Sequence, residues 1–329
     1  MKNIKIGAID IYRGGKIESS EFYLEHFKNK GKNMTNYFKA MGRDKRYLID
    51  SEQENALTMS LEVAKNILKK NDLTGEDIDM IVYSSQLPEY VAPPNAIFIH
   101  ETINGKRETV CYDMNANCAG MIVAVDNACS YMKSHPEIKR ALIVGCDYIN
   151  ATVNPEDELT YGQYGDASCA VILEQTDEDT GYLDTAFFIN SIEAMNILTP
   201  GCGFSKIFKE DVGEYKYLKW NPFGGSDCVY PGIDNMNKLM KKHGLTKEDI
   251  NMFCFSQFAY KNVQIIREEM NLKESQSLFI GNEYGYTGTT SPFIVLYEAL
   301  QRGMVKRNDY VMFWTVGAGS TNVTMLFKF

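Results

Sequence analysis

The sequence predicts an α/β protein made of two similar halves. Short apolar segments alternate with segments of helical periodicity, which is typical of sheets covered by helices. The second observation is an internal repeat, because LTGEDIDMIVYS at residues 73–84 matches LTKEDINMFCFS at residues 245–256. The repeat continues, since a helix predicted to start at Cys118 corresponds to another over residues 291–300. We therefore expect two α/β units related by a pseudo-twofold axis, with a cleft at their junction.

Composition limits the class of protein. The chain has 329 residues, enough for two coupled half-domains, and its 44% hydrophobic and 23% charged residues are ordinary for a globular protein. A net charge of −9 argues against nucleic acid as a partner. The N-terminus has a strand pattern rather than that of a signal peptide, and no apolar run reaches membrane-spanning length, so no membrane association is expected. The eight cysteines contain no CxxC pair, which argues against metal and disulfides and favours a reducing, cytoplasmic location.

Each element of the first half has its own signal. Alternating apolar and polar residues indicate the first strand, and apolar residues three and four apart indicate the helices. Uninterrupted apolar runs such as residues 140–145 are typical of strands buried in a parallel sheet. Three prolines indicate a loop over residues 86–95, whereas residues 16–50 give no clear pattern. The predicted strands lie at 1–12, 81–84, 108–114, 140–145 and 167–174, and the predicted helices at 52–70, 95–104 and 118–132.

The second half repeats this order after a polar, turn-like segment near residues 175–185. We place the halves at 1–178 and 179–329, and expect a strand at 311–317 after the helix that corresponds to the Cys118 helix. Residues 196–232 fit neither repeat and are interpreted as a lid-like insertion over the cleft. The alternative is a surface insertion without a role.

Cys118 is the candidate nucleophile. It lies in NANCAGM, where a predicted strand turns into a mostly buried helix. Unpaired N–H groups and the partial positive charge at a helix start favour a thiolate. An isolated cysteine is more often a small buried side chain, but the strand–turn–helix setting favours a nucleophile.

Several motifs together resemble the β-ketoacyl-acyl-carrier-protein synthase III family of the thiolase superfamily. NANCAGM followed by a long helix and ALIVGCD resembles the region of that family's nucleophile, and YGDASCAVILE resembles a glycine-containing strand that follows it. The C-terminal segment over residues 284–329 resembles the family's GNTS loop and glycine-rich ending. The resemblance runs nearly end to end. It implies a five-layered αβαβα fold of the thiolase type, and usually a homodimer.

In that family a cysteine is acylated by a thioester, and a histidine and an asparagine then help to decarboxylate a malonyl thioester. Carried over by position, the cysteine is Cys118, but the histidine position holds Ser256 and the asparagine position holds Tyr286. Two hydroxyls can donate hydrogen bonds to an enolate, yet neither is a cation or a suitable base near neutral pH. Malonyl condensation is therefore disfavoured. Acylation of Cys118 needs fewer catalytic groups than decarboxylation does. The resemblance assigns the oxyanion donors for this step to the amides of Cys118 and Ala318.

The resemblance also bears on the acyl donor. In that family a tryptophan and an arginine clamp coenzyme A. In this chain the tryptophan position falls near Asn36 and Tyr37, and the arginine position holds Glu158. A carboxylate repels phosphates, so the pantetheine arm of a carrier protein is favoured over coenzyme A. Lys261 and Arg267 are candidates for docking an acidic carrier protein, although a solvated helix face is the common alternative.

The loop over residues 86–95 resembles the segment that a dimer partner inserts at the end of the acyl pocket. Ala92 falls where a bulky side chain is common, so a longer or wider acyl pocket is expected.

Taken together, these features favour an acyltransferase of fatty-acid-like or specialised-metabolite synthesis. Cys118 would take an acyl group from a carrier-protein or coenzyme A thioester, without any further cofactor, and pass it to a nucleophile other than decarboxylated malonate. Two alternatives stay open. One is a condensing synthase that uses Ser256 and Tyr286. The other is a non-catalytic subunit paired with an active synthase of the same fold, in which case the chain forms a heterodimer.

Overall fold

The fold consists of two main sheets with helices around and between them. The computed structural model describes residues 2–221 and 227–329. The strands are β1 (Asn3–Arg13), β2 (Lys16–Ser19), β3 (Lys45–Leu48), β4 (Met80–Ser84), β5 (Val110–Met114), β6 (Arg140–Cys146), β7 (Ala167–Thr176), β8 (Gly181–Ile189), β9 (Ile197–Leu198), β10 (Lys219–Trp220), β11 (Ile250–Phe255), β12 (Tyr310–Gly317) and β13 (Thr321–Lys328). The helices are α1 (Ser20–Lys28), α2 (Thr35–Met41), α3 (Ala56–Lys70), α4 (Asn95–Thr102), α5 (Gly120–Ser134), α6 (Val229–Lys242), α7 (Tyr260–Met270), α8 (Gly281–Tyr284) and α9 (Ser291–Gln301).

The two main sheets have matching strand orders. The first runs β1-β7-β6-β4-β5, and the second runs β8-β13-β12-β11. In both, the first two neighbouring pairs are antiparallel, and the third pair, β6 with β4 or β12 with β11, is parallel. Where β5 lies beside β4 in the first sheet, the described part of the second sheet has an isolated parallel bridge, Phe253 with Ser277. The duplication predicted from the repeat is therefore confirmed.

The helices complete a five-layered αβαβα arrangement. Helices α3 and α4 cover the outer face of the first sheet, and α6 and α7 cover the outer face of the second. Helices α5 and α9 lie between the sheets in a single apolar cluster with inward-facing strand residues of both. This middle layer matters for the site because the loops that enter α5 and α9 face each other at the ends of the strands. No helix in the described part of the chain is long and apolar enough to cross a bilayer.

Close backbone approach fixes the start of α5. A Cβ atom at Gly120 would lie 2.4 Å from the Ser84 hydroxyl and 3.2 Å from that of Thr289. The helix therefore begins in contact with the end of β4 and with the turn before α9. Glycine at this position sets the depth at which the preceding turn, with Cys118, enters the molecule.

Several element boundaries differ from the prediction. Helix α3 begins at Ala56 rather than at residue 52, because the Asn55 side chain caps it and accepts a hydrogen bond from the Thr58 amide at 2.9 Å. Helix α4 ends at Thr102, and residues 16–50, which gave no prediction, form β2, α1, α2 and β3.

The proposed insertion is shorter than predicted. Its C-terminal end, predicted at residue 232, overlaps α6, which begins at Val229 and is the counterpart of α3. Gly232 belongs to this helix and packs against the Trp314 indole, where a Cβ atom would lie 2.1 Å from Nε1. Within the insertion β9 and β10 pair, and the Leu218 amide donates to the Thr152 carbonyl at 2.7 Å. Part of the predicted segment, Pro222, Gly224 and Gly225 included, lies outside the described residues.

The middle layer generates a stability prediction. Phe293 on α9 is fully buried, and its ring stacks on Phe313 with centroids 4.9 Å apart. Phe293→Ala should lower the free energy of unfolding by about 3–5 kcal/mol, because it removes buried apolar surface and leaves a cavity between the sheets. Phe22→Ala is the control, since Phe22 is 47% exposed, and it should cost less than about 1 kcal/mol. Urea denaturation measures both, and equal losses would contradict the assignment of the middle layer as the core.

Candidate active site

An apolar cavity, part of it open to solvent, lies at the junction of the two halves. It is bordered by loops that follow the carboxyl ends of β4, β5, β6, β11 and β12, together with the insertion. The residues that line it are Gln86, Leu87, Cys118, Ile149, Tyr164, Glu193, Asn196, Ile197, Thr199, Leu218, Trp220, Cys228, Phe258, Tyr286, Val316, Gly317, Ala318, Gly319 and Ser320. Both halves thus contribute to one site, as is common where loops of two α/β units meet.

Cys118 lies on the wall of this cavity. It occupies a single 3₁₀ turn, Asn117–Ala119, between β5 and α5, so it precedes the helix rather than starting it. The Thr315 hydroxyl of β12 donates to the Cys118 carbonyl at 3.2 Å, which fixes the turn against the second half. The Gln86 side-chain amide donates to Cys118 Sγ across 3.7 Å. The sulfur is therefore reachable from the cavity and enclosed by protein on its other sides.

The electrostatic setting of Cys118 differs from the sequence prediction. Burial among protein atoms, and to a smaller extent the Asp147 carboxylate, raise the pKa of the Cys118 thiol to about 11. Hydrogen bonds with Tyr286 and Gln86 act in the opposite direction. The prediction that the helix start favours a thiolate is therefore wrong, because desolvation and a nearby negative charge outweigh the terminus. At neutral pH the thiol is protonated.

Of the two residues predicted from separate motifs, Tyr286 contacts Cys118, whereas Ser256 contacts Tyr286 and is not among the described residues that line the cavity. The Tyr286 hydroxyl interacts with the Cys118 thiol and lies beside Ser256. Burial raises the pKa of Tyr286 well above its usual range, so the phenol is neutral. Ser256 is 1% exposed, and its hydroxyl makes no hydrogen bond of normal geometry to any described residue.

Tyr286 is held by contacts with both halves. Its amide donates to the Gln163 carbonyl at 2.9 Å, and its carbonyl accepts from the Gly165 amide at 3.1 Å. Its ring packs edge-on against Phe258, with centroids 5.5 Å apart, and lies 6.1 Å from Tyr164. The Phe258 ring in turn stacks on Trp220 at 5.5 Å. An aromatic wall therefore surrounds the phenol.

Asp147 and Gln86 are site residues that the sequence reading missed. Asp147 follows β6 and is fully buried, and its carboxylate accepts from both the backbone and the side-chain N–H groups of Gln86 at 2.9 Å. It also accepts from the Thr289 amide at 2.8 Å and the Ser85 hydroxyl at 3.3 Å. Burial raises the pKa of Asp147, and these hydrogen bonds oppose the rise. Polar residues directly after two buried strands, in YSSQ and VGCD, were the available signal.

The four histidines, all of which lie in the described ranges, do not line the cavity. Each ring nitrogen that makes a hydrogen bond does so elsewhere on the molecule. The contacts are His26 with the Pro155 carbonyl, His100 with the Lys106 carbonyl, His135 with the Tyr131 carbonyl and His243 with the Asp184 carboxylate. An imidazole therefore takes no part in the arrangement around Cys118.

Ala318, the second oxyanion donor that the resemblance assigns, lies on the same wall as Cys118. The two loops touch, because the Asn117 side chain donates to the Ala318 carbonyl at 3.3 Å. A Cβ atom at Gly317 would lie 1.7 Å from Asn117 Oδ1, so glycine is required for this approach. The assignment of the Cys118 and Ala318 amides as an oxyanion hole stays a prediction.

Within the described ranges Ala92 does not line the cavity of its own chain, although Gln86 and Leu87 at the start of the same loop do. Ala92 is exposed, and beside it Tyr90 and Val91 are 49% and 73% exposed. Its role in an acyl pocket therefore requires a partner chain and stays a prediction.

The proposed coenzyme A clamp positions do come together. Tyr37 donates its hydroxyl to the Leu159 carbonyl at 2.7 Å, next to Glu158. Glu158 forms an ion pair with Lys32 at 2.8 Å, which partly offsets the negative charge at this position.

The two proposed docking residues differ in their surroundings. Lys261 is exposed in the first turn of α7. Arg267 instead donates its Nε hydrogen to the Ser277 hydroxyl at 2.7 Å and also bonds the Ser277 carbonyl. Its guanidinium thus has a structural partner within its own chain.

Two duplicated halves in five αβαβα layers, with a cysteine turn at their junction, are characteristic of the thiolase fold. The chain belongs to the 3-oxoacyl-[acyl-carrier-protein] synthase III family of the thiolase superfamily. The model of that family matches residues 112–191, and the model of its C-terminal part matches residues 240–329, together just over half of the chain.

Known proteins agree with this assignment. The β-ketoacyl-[acyl-carrier-protein] synthase III of Aliarcobacter butzleri is 25% identical over 288 residues, which cover 85% of each chain. The solved 3-oxoacyl-[acyl-carrier-protein] synthase III of Aquifex aeolicus has a TM-score of 0.86 at 22% identity, covering 99% of this chain and 100% of that one. Xanthomonas campestris OleA, solved with lauric acid and lauroyl-CoA, has a TM-score of 0.84 at 15% identity, and the match covers 100% of this chain and 99% of that one. The two solved structures establish the shared fold.

The protonation state of Cys118 can be tested by alkylation. Because only the thiolate reacts, the rate constant for iodoacetamide at Cys118 should rise about tenfold per pH unit and still be rising at about pH 9.5. A small-molecule thiol, the control, should level off above about pH 8.5. Site-resolved mass spectrometry, with Cys118→Ser as the blank, separates this residue from other cysteines. A plateau near pH 7 would show that the thiol is already ionised.

Proposed function

We propose that the protein is an acyltransferase in which Cys118 takes an acyl group from a thioester and passes it to a nucleophile other than decarboxylated malonate. The observation that carries this proposal is a cysteine on the wall of an apolar cavity, next to a phenol and a primary amide and without an imidazole. The names of the relatives, β-ketoacyl-[acyl-carrier-protein] synthases III, support acyl-thioester chemistry for the family.

The acylation step is a thioester exchange. The Cys118 sulfur bonds to the carbonyl carbon of the donor, and the bond from that carbon to the donor's sulfur breaks. The proton lost by Cys118 ends on the departing thiol, so the step needs no net proton acceptor. Because the resting thiol is protonated, charge develops on its sulfur only as it reacts. The N–H of Gln86 and the O–H of Tyr286 are the donors beside it.

Ordinary malonyl decarboxylation is poorly supported by the same site. Loss of carbon dioxide leaves an enolate, whose oxygen needs strong hydrogen-bond donors. Tyr286 and Ser256, at the positions that the resemblance assigns to asparagine and histidine, provide only neutral hydroxyls. The buried Asp147 carboxylate adds a negative charge that opposes an enolate in this cavity. We therefore place the acceptor outside the malonyl thioesters.

The lining of the cavity supports an apolar acyl chain. Leu87, Ile149, Ile197, Leu218 and Val316 contribute aliphatic side chains to it. Burial of such chains is favourable by roughly 0.8 kcal/mol for each methylene group. OleA of Xanthomonas campestris, a neighbour in fold, was solved with lauric acid and lauroyl-CoA, which supports a fatty acyl group here as well.

For the carrier, we propose a pantetheine arm presented by an acyl carrier protein, with coenzyme A as the alternative. The names of the relatives refer to such a carrier. Lys261 offers an exposed positive charge to an acidic carrier protein, whereas Arg267 is bonded to Ser277 and is the weaker candidate. A second copy of the chain is proposed as the partner whose Ala92 loop ends the acyl pocket.

Acylation of Cys118 is the first test. Incubation with medium-chain acyl-carrier protein or acyl-coenzyme A should increase the mass of the intact protein by about one acyl group per chain. Cys118→Ala should abolish this gain, because the only proposed nucleophile is removed. Cys202→Ala is the matched control and should acylate normally, since Cys202 does not line the cavity within the described ranges. No mass gain with any donor would favour the non-catalytic subunit.

The absence of decarboxylation is the second test. Wild-type protein should release little carbon dioxide from malonyl-carrier protein, and Ser256→His combined with Tyr286→Asn should raise the release at least about tenfold, because each positioned donor contributes about 10²–10³ in rate. Ser256→Ala with Tyr286→Phe is the control that supplies no new donor. Circular dichroism checks that each variant is folded. Brisk release by the wild type would instead support the condensing synthase.

A further inference from the structure

The geometry points to Gln86 as the residue that stabilises charge on the Cys118 sulfur, with Asp147 acting through it as a positioning residue. This inference rests on the proposed function, in which Cys118 is the nucleophile. Gln86 touches the reacting atom, since its Nε2 lies 3.7 Å from Cys118 Sγ. The same nitrogen lies 2.9 Å from Asp147 Oδ2. A primary amide has two N–H groups, so it can donate to both acceptors at once.

Asp147 fixes which end of the Gln86 amide faces the sulfur. A carboxylate accepts hydrogen bonds, so it attracts the amide nitrogen and repels the amide oxygen. The backbone N–H of Gln86 donates to the other carboxylate oxygen at 2.9 Å, so Gln86 is anchored at two points. With Nε2 held in this way, an N–H group and not a lone pair is presented to Cys118.

The anchor itself cannot move freely. Asp147 is fully buried, and all the groups bonded to it are donors, among them the Thr289 amide at 2.8 Å. A Cβ atom at Gly288 would lie 2.3 Å from Asp147 Oδ2, so the turn before α9 closes directly over the carboxylate. The Thr289 hydroxyl in turn accepts from the Met121 amide at 2.6 Å, in the first turn of α5. The carboxylate, the amide and the start of the cysteine helix are therefore one connected unit.

The negative charge of Asp147 destabilises the Cys118 thiolate, whereas its hydrogen bond to Gln86 orients an amide that stabilises this thiolate. The carboxylate raises the pKa of Cys118, and the Gln86 hydrogen bond lowers it. A carboxylate placed only for its charge would therefore hinder the nucleophile. Its hydrogen bond to the amide explains why it is compatible with a reactive cysteine.

Other titratable groups also surround Cys118. Tyr286 interacts with it directly, and Tyr164, Glu193 and Cys228 share the cavity wall. These groups are the same in wild type and in any Gln86 variant, so a change in the pH profile reports on the amide.

The experiment compares the pH profile of Cys118 alkylation by iodoacetamide in wild type and in Gln86→Met, which keeps the length of the side chain and removes both N–H donors. The rate constant at pH 8 should fall by about tenfold to a hundredfold, and the profile should shift upward by about one to two pH units, because a hydrogen bond to a charged group is lost. Gln86→Glu, a second variant, should shift the pH profile of Cys118 alkylation upward at least as far. Gln53→Met, at an exposed position, is the matched control and should leave the profile unchanged. An unchanged profile in folded Gln86→Met or Gln86→Glu would overturn the assignment.

Asp147→Asn tests the positioning role separately. If Asp147 acted through its charge alone, its neutralisation would speed alkylation. If it orients Gln86, alkylation should slow, because an asparagine amide lets the glutamine turn its oxygen toward the sulfur. Alkylation needs no acyl donor, so it distinguishes the two proposals. Failure of acyl transfer with an intact Gln86 effect would remove only the proposed function, and normal acyl transfer without that effect would remove only this inference.

Discussion

The buried carboxylate of Asp147 is the interaction on which the site depends. It holds the loop after β4 through Gln86 and the turn before α9 through Thr289, and it lies itself at the end of β6. These segments come from distant parts of the chain, and both halves of the duplication contribute to them. A buried charge is costly unless its hydrogen-bonding capacity is satisfied, so the loops must adopt positions that supply the donors. The need to supply hydrogen-bond donors to this one carboxylate therefore determines how the loop after β4 and the turn before α9 are placed beside the cavity.

The chemistry of Cys118 follows from the absence of a nearby cation on the cavity wall that the structure describes. Burial keeps the thiol protonated, and a neutral phenol and a neutral amide are the donors in contact with it. Such a site is suited to a nucleophile that becomes charged only while it reacts. It is poorly suited to an intermediate whose negative charge persists, because Asp147 is close by. This electrostatic balance is the reason that we separate acyl transfer from malonyl condensation.

Much of the architecture could be predicted from the sequence. The repeated LTxEDI segments and the matching order of later elements predicted the duplication, and the two sheets have that order. The grouping of Cys118, Ser256 and Tyr286 was expected from the family resemblance, which assigns the three positions to one active site. Gln86 and Asp147 were missed. Each follows a buried strand, but nothing in the local sequence shows that their side chains meet.

The sequence by itself determined the periodicities, the repeat and the residue types at the motif positions, since these are properties of neighbouring residues along the chain. Only the tertiary structure decided the protonation of Cys118 and the orientation of Gln86. The thiol was expected to be ionised from its place near a helix start. Its pKa is instead set by desolvation and by Asp147, which depend on atoms brought together from several segments. Such effects are decided in space, because burial and hydrogen-bond orientation belong to the folded chain.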